Sequence, residues 1–261
     1  MIQTNPLISV VMNCYNGERY LSESIKSLIS QTYKNWELIF WDNVSSDNSK
    51  EILNNFSDSR IKYYLSKKFT KLYEARNLAI EKARGDYITF LDTDDLWAKD
   101  KLEKQINFLE KNKESRVIYT NYYVLQENKK KEYIQHKIVL PSGSITQKLL
   151  DYYSIGILTV FIEKSIFKNY KFKNNFNVIG DFDFFINLSQ KVKISCIQEP
   201  LAFYRIHGSN FSIKKNNVYI EELKKWINEN DKILNTKGYS LIKQKILLIK
   251  LKIKFFFNIF F

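Results

Sequence analysis

Leu7-Ile8-Ser9-Val10-Val11-Met12 is an apolar, β-branched run of the kind found in a strand buried on both faces. Asn16-Gly17 turns the chain, and Leu21, Ile25, Leu28 and Ile29 then recur at helical spacing. Trp36-Glu37-Leu38-Ile39-Phe40-Trp41 reads as a second strand. The alternation continues with a helix from Ser49 to Phe56, a strand from Ile61 to Leu65, a helix from Glu74 to Ala83 stopped by Gly85, and a strand from Tyr87 to Leu91. Strands alternating with helices predict an α/β domain with a largely parallel central sheet flanked by helices. Ligands bind such sheets beyond the carboxyl ends of the strands, where the loops Asn13 to Gly17, Asp42 to Asp47 and Asp92 to Asp95 fall.

The second half is less regular. A polar, charged stretch at residues 126–140 reads as a hairpin or linker, followed by a strand-like Leu158 to Ile162, a helix around Asp183 to Gln190 and a strand-like Ile194 to Tyr204. One domain is expected over residues 1–215, with halves meeting near 125, and a helical, basic and hydrophobic tail over 216–261. The first six residues lack a basic leader region, so the N-terminus is expected to be structural.

Composition narrows the partners. Across 261 residues, 41 Lys and Arg against 28 Asp and Glu give a net charge of +13, which favours anionic ligands or surfaces. The basic residues are spread along the chain and do not gather on a recognition helix or stacking platform, so nucleic acid is not expected as a partner. Two distant cysteines, Cys14 and Cys196, offer neither a metal-binding spacing nor a disulfide framework, which points to a reducing, cytoplasmic setting. The tail from Ile246 onward mixes lysine with Ile, Leu and Phe and is too interrupted by charge to span a bilayer. Two readings stand for it: a peripheral contact with the inner face of the cell membrane, or a helix packed on the domain or in an oligomer contact.

The sharpest chemical signal is Phe90-Leu91-Asp92-Thr93-Asp94-Asp95, three carboxylates in four positions at a strand end. Two such charges about 4 Å apart oppose each other by roughly 4 kcal/mol at an effective dielectric near 20, so either a solvated turn or a bound cation must offset them. A calcium loop fails, because Leu96 and Trp97 occupy the positions that need an acidic ligand and a glycine. A turn in which Asp95 caps a helix from about Lys99 to Asn112 stays open beside a divalent-cation site.

Taken together, Val10 to Gly17, Trp41 to Ser49, Glu74-Ala75-Arg76-Asn77 and Phe90 to Asp95 resemble the family 2 glycosyltransferases of the GT-A (Rossmann-like) fold, and the likeness continues more weakly through Gly180-Asp181-Phe182-Asp183 and Tyr204 to Gly208. The resemblance implies an inverting enzyme that moves a sugar from a nucleotide diphosphate sugar, a UDP- or dTDP-sugar, to a hydroxyl of a glycan or glycolipid acceptor in surface polysaccharide synthesis, with Mg²⁺ or Mn²⁺ as cofactor. It implies that Asn13, Tyr15, Asn16, Asp42, Arg76 and Asp92 hold the nucleotide sugar, that Asp94, Asp95 and His207 hold the metal, and that Asp181 is the general base, with Asp183 its competitor. A buried, core-filling Tyr15, an exposed helical Arg76 and a structural His207 are the plain alternatives. The sequence departs from the family pattern at Asp42-Asn43-Val44, which lacks a second aspartate and a glycine, and at Gly180, which replaces a glutamate. A nucleotidyltransferase acting on a sugar phosphate and a non-catalytic nucleotide-binding module are the competing functions.

Overall fold

A computed structural model of the chain describes residues 5–208, 210 and 216–260. Strand β1 (Ile8–Cys14), helix α1 (Glu18–Ile29), β2 (Trp36–Asp42), α2 (Ser49–Asn54), β3 (Ile61–Leu65), α3 (Leu72–Lys82) and β4 (Tyr87–Phe90) follow the hydrophobic pattern closely. After these come β5 (Leu96–Trp97), α4 (Lys101–Lys111), β6 (Val117–Gln126), β7 (Lys131–Ile134), α5 (Thr146–Asp151), β8 (Phe161–Glu163), α6 (Gly180–Ser189), β9 (Ser195–Ile206), α7 (Asn216–Thr236) and α8 (Ile242–Phe260). One sheet joins all nine described strands in the order β3-β2-β1-β4-β8-β6-β9-β5, with β7 paired to β6.

The first four strands are parallel. The second half mixes directions: β8 is antiparallel to β4 and β6, whereas β6 and β9 run parallel. Successive residues of β1 bury on opposite faces, as a covered parallel strand requires. Val11, with Ile39 and Phe90, packs under α3, α5, α6, α7 and α8. Ile8, Val10 and Met12 pack with Leu38 and Phe40 against α1, α2 and α4.

Three local features depart from the sequence pattern. The chain after Asp95 forms the short strand β5 on β9, and α4 begins only at Lys101, so Asp95 does not cap that helix. Strand β6, for which the sequence pattern predicts no element, is the centre of the second half, and the polar stretch after it forms a hairpin of β6 with β7. Helix α6 starts at Gly180, so Asp181 and Asp183 both lie in its first turn. Pro200 in β9 is tolerated because the ladder to β6 shifts register at that point, between Thr120 and Tyr123.

Two buried polar devices lock the layers. Glu37 accepts hydrogen bonds from Ser9 Oγ and from the Arg84 backbone at 2.6 Å each. Gly85 leaves no room for a side chain, since a Cβ there would lie 2.6 Å from both the Leu7 oxygen and the Ser9 nitrogen. On the other face Lys101 is wholly buried, with Nζ 3.0 Å from Gln105 Oε1, 3.2 Å from Thr89 Oγ1 and 3.9 Å from the Trp97 ring centroid.

Burial pushes the Lys101 amine well below the ordinary lysine range. The unfolded chain therefore takes up a proton that the folded chain resists, and stability contributed by this group rises with pH between the depressed value and about 10.4. Replacing Lys101 by Met is expected to flatten that alkaline rise in denaturant-derived stability, while an identical pH dependence in both proteins would contradict the burial of a titrating amine.

Candidate functional site

The loops beyond β1, β2 and β4 meet as the parallel topology requires, and they are laced together by the turn residues themselves. Asn16, at φ 53°, accepts the Ser46 N–H on its Oδ1 at 2.8 Å and donates its own N–H to Ser45 Oγ at 3.1 Å. Asp47 accepts the Glu18 N–H at the start of α1; burial is the largest single influence on its carboxyl and raises it, but the hydrogen bonds from Ser49 and Glu18 together bring it below the usual range. Asn16 is thus committed to bracing the two loops and does not line the cavity they enclose.

Val44 adopts the left-handed region that favours glycine, at φ 67°. A β-branched residue is strained there by about 1–2 kcal/mol. Its neighbours hold it: Asp42 Oδ1 accepts the Ser45 N–H at 2.7 Å, and Asn43 forms three hydrogen bonds with Thr70. Asp42 is buried, and its second oxygen accepts the Tyr63 hydroxyl at 2.9 Å. Burial and that carboxylate raise the Tyr63 phenol to about 12. The structure therefore spends one Asp42 oxygen on the loop and the other on Tyr63 of β3, and puts Asn43 at the cavity wall instead.

The cavity holds about 640 Å³, a size typical for a small-molecule site, and Asn13, Tyr15, Arg76, Asp92, Asp94, Asp95 and Asp181 all line it. Asn13 presents an amide whose oxygen and nitrogen are both buried without a protein partner, an arrangement that a ligand would satisfy. Tyr15 is 55% exposed, so it does not fill the core; its ring meets Phe69 edge-on at 4.8 Å across the mouth. Phe69 is not among the residues that the sequence singles out; an aromatic among Lys67, Lys68 and Lys71 is the one signal for it there.

Each carboxylate of the acidic turn has its own partner. Arg76 is 2% exposed and places Nη2 2.9 and 3.0 Å from the two oxygens of Asp92, leaving its Nε unpartnered. Asp94 Oδ2 lies 3.0 Å from His207 Nε2 and 3.2 Å from Asn210 Nδ2. Asp95 is buried and accepts the Arg205 N–H at 3.0 Å, while the Arg205 side chain reaches the Asp94 carbonyl and Glu23. Burial, then the neighbouring charges, push Asp95 well above the usual carboxylate range; burial and Asp92 raise Asp94 against the opposing pull of His207. Thr93 is pressed against Gly17, where a Cβ would stand 2.9 Å from its Oγ1.

Asp181 faces the cavity from the start of α6. Its Oδ1 accepts from its neighbour's backbone at 2.8 Å and lies 3.2 Å from the Tyr73 hydroxyl, which also donates to the Val178 carbonyl. Burial raises the carboxyl, with Arg76 pulling the other way. Gly180 is small for a reason: a Cβ there would lie 2.4 Å from the Tyr73 ring. Asp183, by contrast, is buried between Lys173 Nζ at 2.9 Å and Trp226 Nε1 at 2.8 Å, and ties α6 to α7.

Asp94 and His207 are the residues here that could hold a divalent cation. Among the described residues no three His, Cys, Asp or Glu side chains converge on one point. Asp94 and His207 form an oxygen and nitrogen donor pair suited to Mg²⁺ or Mn²⁺ only if a ligand supplies the remaining oxygens. Asp95 is turned into the protein toward Arg205. A larger open cleft, about 1130 Å³, lies at the opposite ends of the strands, and part of its charged rim is self-paired, Arg116 with Glu163 and Lys171 with Glu81.

With this geometry in place, comparison with known proteins is specific. The UDP-Glc:alpha-D-GlcNAc-diphosphoundecaprenol beta-1,3-glucosyltransferase WfgD of Escherichia coli is 36% identical over 219 residues, covering 84% of this chain and 83% of that protein. The crystal structure of an S. aureus TarS fragment in complex with UDP superposes with a TM-score of 0.67 at 17% identity; it covers 85% of this chain, which spans 65% of that fragment. The mannosyltransferase PcManGT of Pyrobaculum calidifontis, in complex with GDP-Man and Mn²⁺, gives a TM-score of 0.65 at 12% identity over 96% of this chain and 74% of its own. Both structures show that the fold is GT-A. Residues 9–185 match the model of Glycosyl transferase family 2, and this chain belongs to that family.

Proposed function

We propose that the chain transfers a sugar, with inversion, from a UDP-sugar to a hydroxyl of a lipid-linked glycan acceptor. The observation that carries this reading is the cavity itself: Asp181 stands on its wall together with Asp92, Asp94 and the unpartnered amide of Asn13. The donor and acceptor classes follow the name of the E. coli relative, and the UDP-bound neighbour supports the nucleotide.

In this reading Tyr15 and Phe69 flank the base at the cavity mouth, where the two exposed rings already meet. Arg76 and Lys71 provide the cationic wall for the diphosphate. The acceptor oxygen attacks the anomeric carbon, Asp181 takes the hydroxyl proton, and the carbon–oxygen bond to the nucleoside diphosphate breaks. Tyr73 keeps Asp181 in place, and the elevated proton affinity of that buried carboxylate makes it a better base than an exposed aspartate. Asp94 and His207 would hold a Mg²⁺ or Mn²⁺; when bound, such an ion supplies positive charge to the leaving diphosphate.

The family match favours this reading over a nucleotidyltransferase. Product analysis separates them, since sugar transfer releases a nucleoside diphosphate and nucleotidyl transfer releases pyrophosphate.

Asp181→Asn is expected to lower kcat by roughly 10²–10⁴-fold while isothermal calorimetry finds UDP affinity nearly unchanged; undiminished transfer would end the assignment. Asp94→Ala is expected to weaken Mn²⁺-dependent UDP binding by roughly 10–100-fold, and unchanged affinity with metal present would remove Asp94 from that role. Because the base must be unprotonated and burial raises Asp181, transfer is expected to fall with decreasing pH at a midpoint above the ordinary aspartate value of about 3.9. The residual activity of Asp181→Asn should lack that acid limb, and a limb that persists unchanged in the variant would assign it to another group.

A further inference from the structure

Helix α8 carries two apolar stripes, and the fold uses only one of them. At 100° per residue, Gln244, Leu248 and Leu251 share the side packed on the domain: Gln244 donates to the Leu150 carbonyl at 2.7 Å, and Leu248 and Leu251 join the large core cluster. On the opposite side Ile242, Ile246, Ile249 and Ile253 form a second stripe, 41% to 63% exposed. Lys243, Lys250 and Lys254 line one flank of that ridge, and Lys245 and Lys252 line the other, with the Lys245 ammonium also meeting Asp231 of α7 at 2.7 Å. The lysines that look scattered on a wheel with one apolar face become two regular rows once the packed face is known.

We propose that this isoleucine ridge seats the protein on an anionic phospholipid bilayer, with α8 lying in the plane of the interface. An apolar strip between two cationic rows matches a surface in which acyl chains lie beneath anionic headgroups. There is no acidic residue anywhere in α8, and the whole chain carries +13. The same charge disfavours a second copy as occupant, because two such ridges face to face would oppose like rows of lysine. Among the described residues no helix is long and apolar enough to cross a membrane, so α8 lies on the surface.

The placement has a consequence for the site. A second cavity, about 450 Å³, has Asp181, Tyr153 and Tyr219 on its walls and is closed on another side by Lys243, Gln244 and Leu247 of α8. The helix that meets the bilayer therefore also borders the space behind the carboxylate assigned as base. An acceptor carried by a membrane lipid would arrive beside that space.

Vesicle co-sedimentation of the full chain tests the docking without reference to sugar transfer. Wild type is expected to bind phosphatidylcholine vesicles containing 30% phosphatidylglycerol at least roughly tenfold more strongly than pure phosphatidylcholine, and to be released by raising NaCl from 0.1 to 0.5 M. Ile246→Asn with Ile249→Asn is expected to lower partition by roughly tenfold or more, with melting temperature and UDP binding retained. Lys250→Gln with Lys252→Gln is expected to lower it and to weaken its salt dependence, which keeps the test decisive should the isoleucine variant fold poorly. Equal binding of wild type to both vesicle types, or unchanged binding by both variants, would overturn the proposal. So would light scattering in which the isoleucine variant converts a dimer to a monomer while its vesicle binding stays intact, since the ridge would then belong to a second copy.

Discussion

Three carboxylates crowded into four residues at the end of β4 repel one another by several kcal/mol if left together in a partly buried turn, and much of the surrounding structure is organised to prevent that. Arg76 comes from α3 to meet Asp92, His207 and Asn210 follow β9 to meet Asp94, and the backbone of Arg205 meets Asp95. These partners belong to distant parts of the chain, so separating the acids also draws the parallel first half and the mixed second half onto one edge. The dependence is mutual. Arg76 is almost fully buried, and removing Asp92 would leave an uncompensated guanidinium in the protein interior.

The same logic places Asp181. Tyr73 belongs to α3, one turn before Arg76, and its ring occupies the space beside Gly180 where a longer side chain would collide. Its hydroxyl reaches Asp181 and the carbonyl of Val178, so the start of α6 is fixed by the helix that also answers the acidic turn. Two aspartates in one helical turn consequently differ in kind. Asp183 is enclosed by Lys173 and Trp226 and serves packing, whereas Asp181 keeps a face toward the cavity. The loop after β2 shows a second compensation, in which the Asn43–Thr70 and Asp42–Ser45 hydrogen bonds hold Val44 in a conformation that suits glycine.

Two cavities flank Asp181. One is bordered by the acidic turn and the aromatic pair Tyr15 and Phe69, and the other by α5, α6, α7 and α8. Two different substrates meeting at one carboxylate is what a transfer between donor and acceptor requires. Helix α8 borders the second cavity on one face and offers the lysine-flanked isoleucine ridge on the other.

The alternation of apolar runs with helical spacing determined the first half of the fold, because strands buried on both faces and amphipathic helices leave periodicities that need no knowledge of their neighbours. It also brought Asn13, Tyr15, Asp92 and Asp94 to one edge, since parallel topology alone sends successive loops there. What the pattern could not carry were choices made by residues far apart in sequence. Whether Asp42 faces a ligand or Tyr63, whether Asp95 caps α4 or accepts from β9, which of Asp181 and Asp183 is enclosed, and which face of α8 is covered all depend on side chains 20 or more positions away. Those are decided by burial and hydrogen-bond satisfaction in three dimensions, where a polar group takes whichever partner the packing leaves within reach.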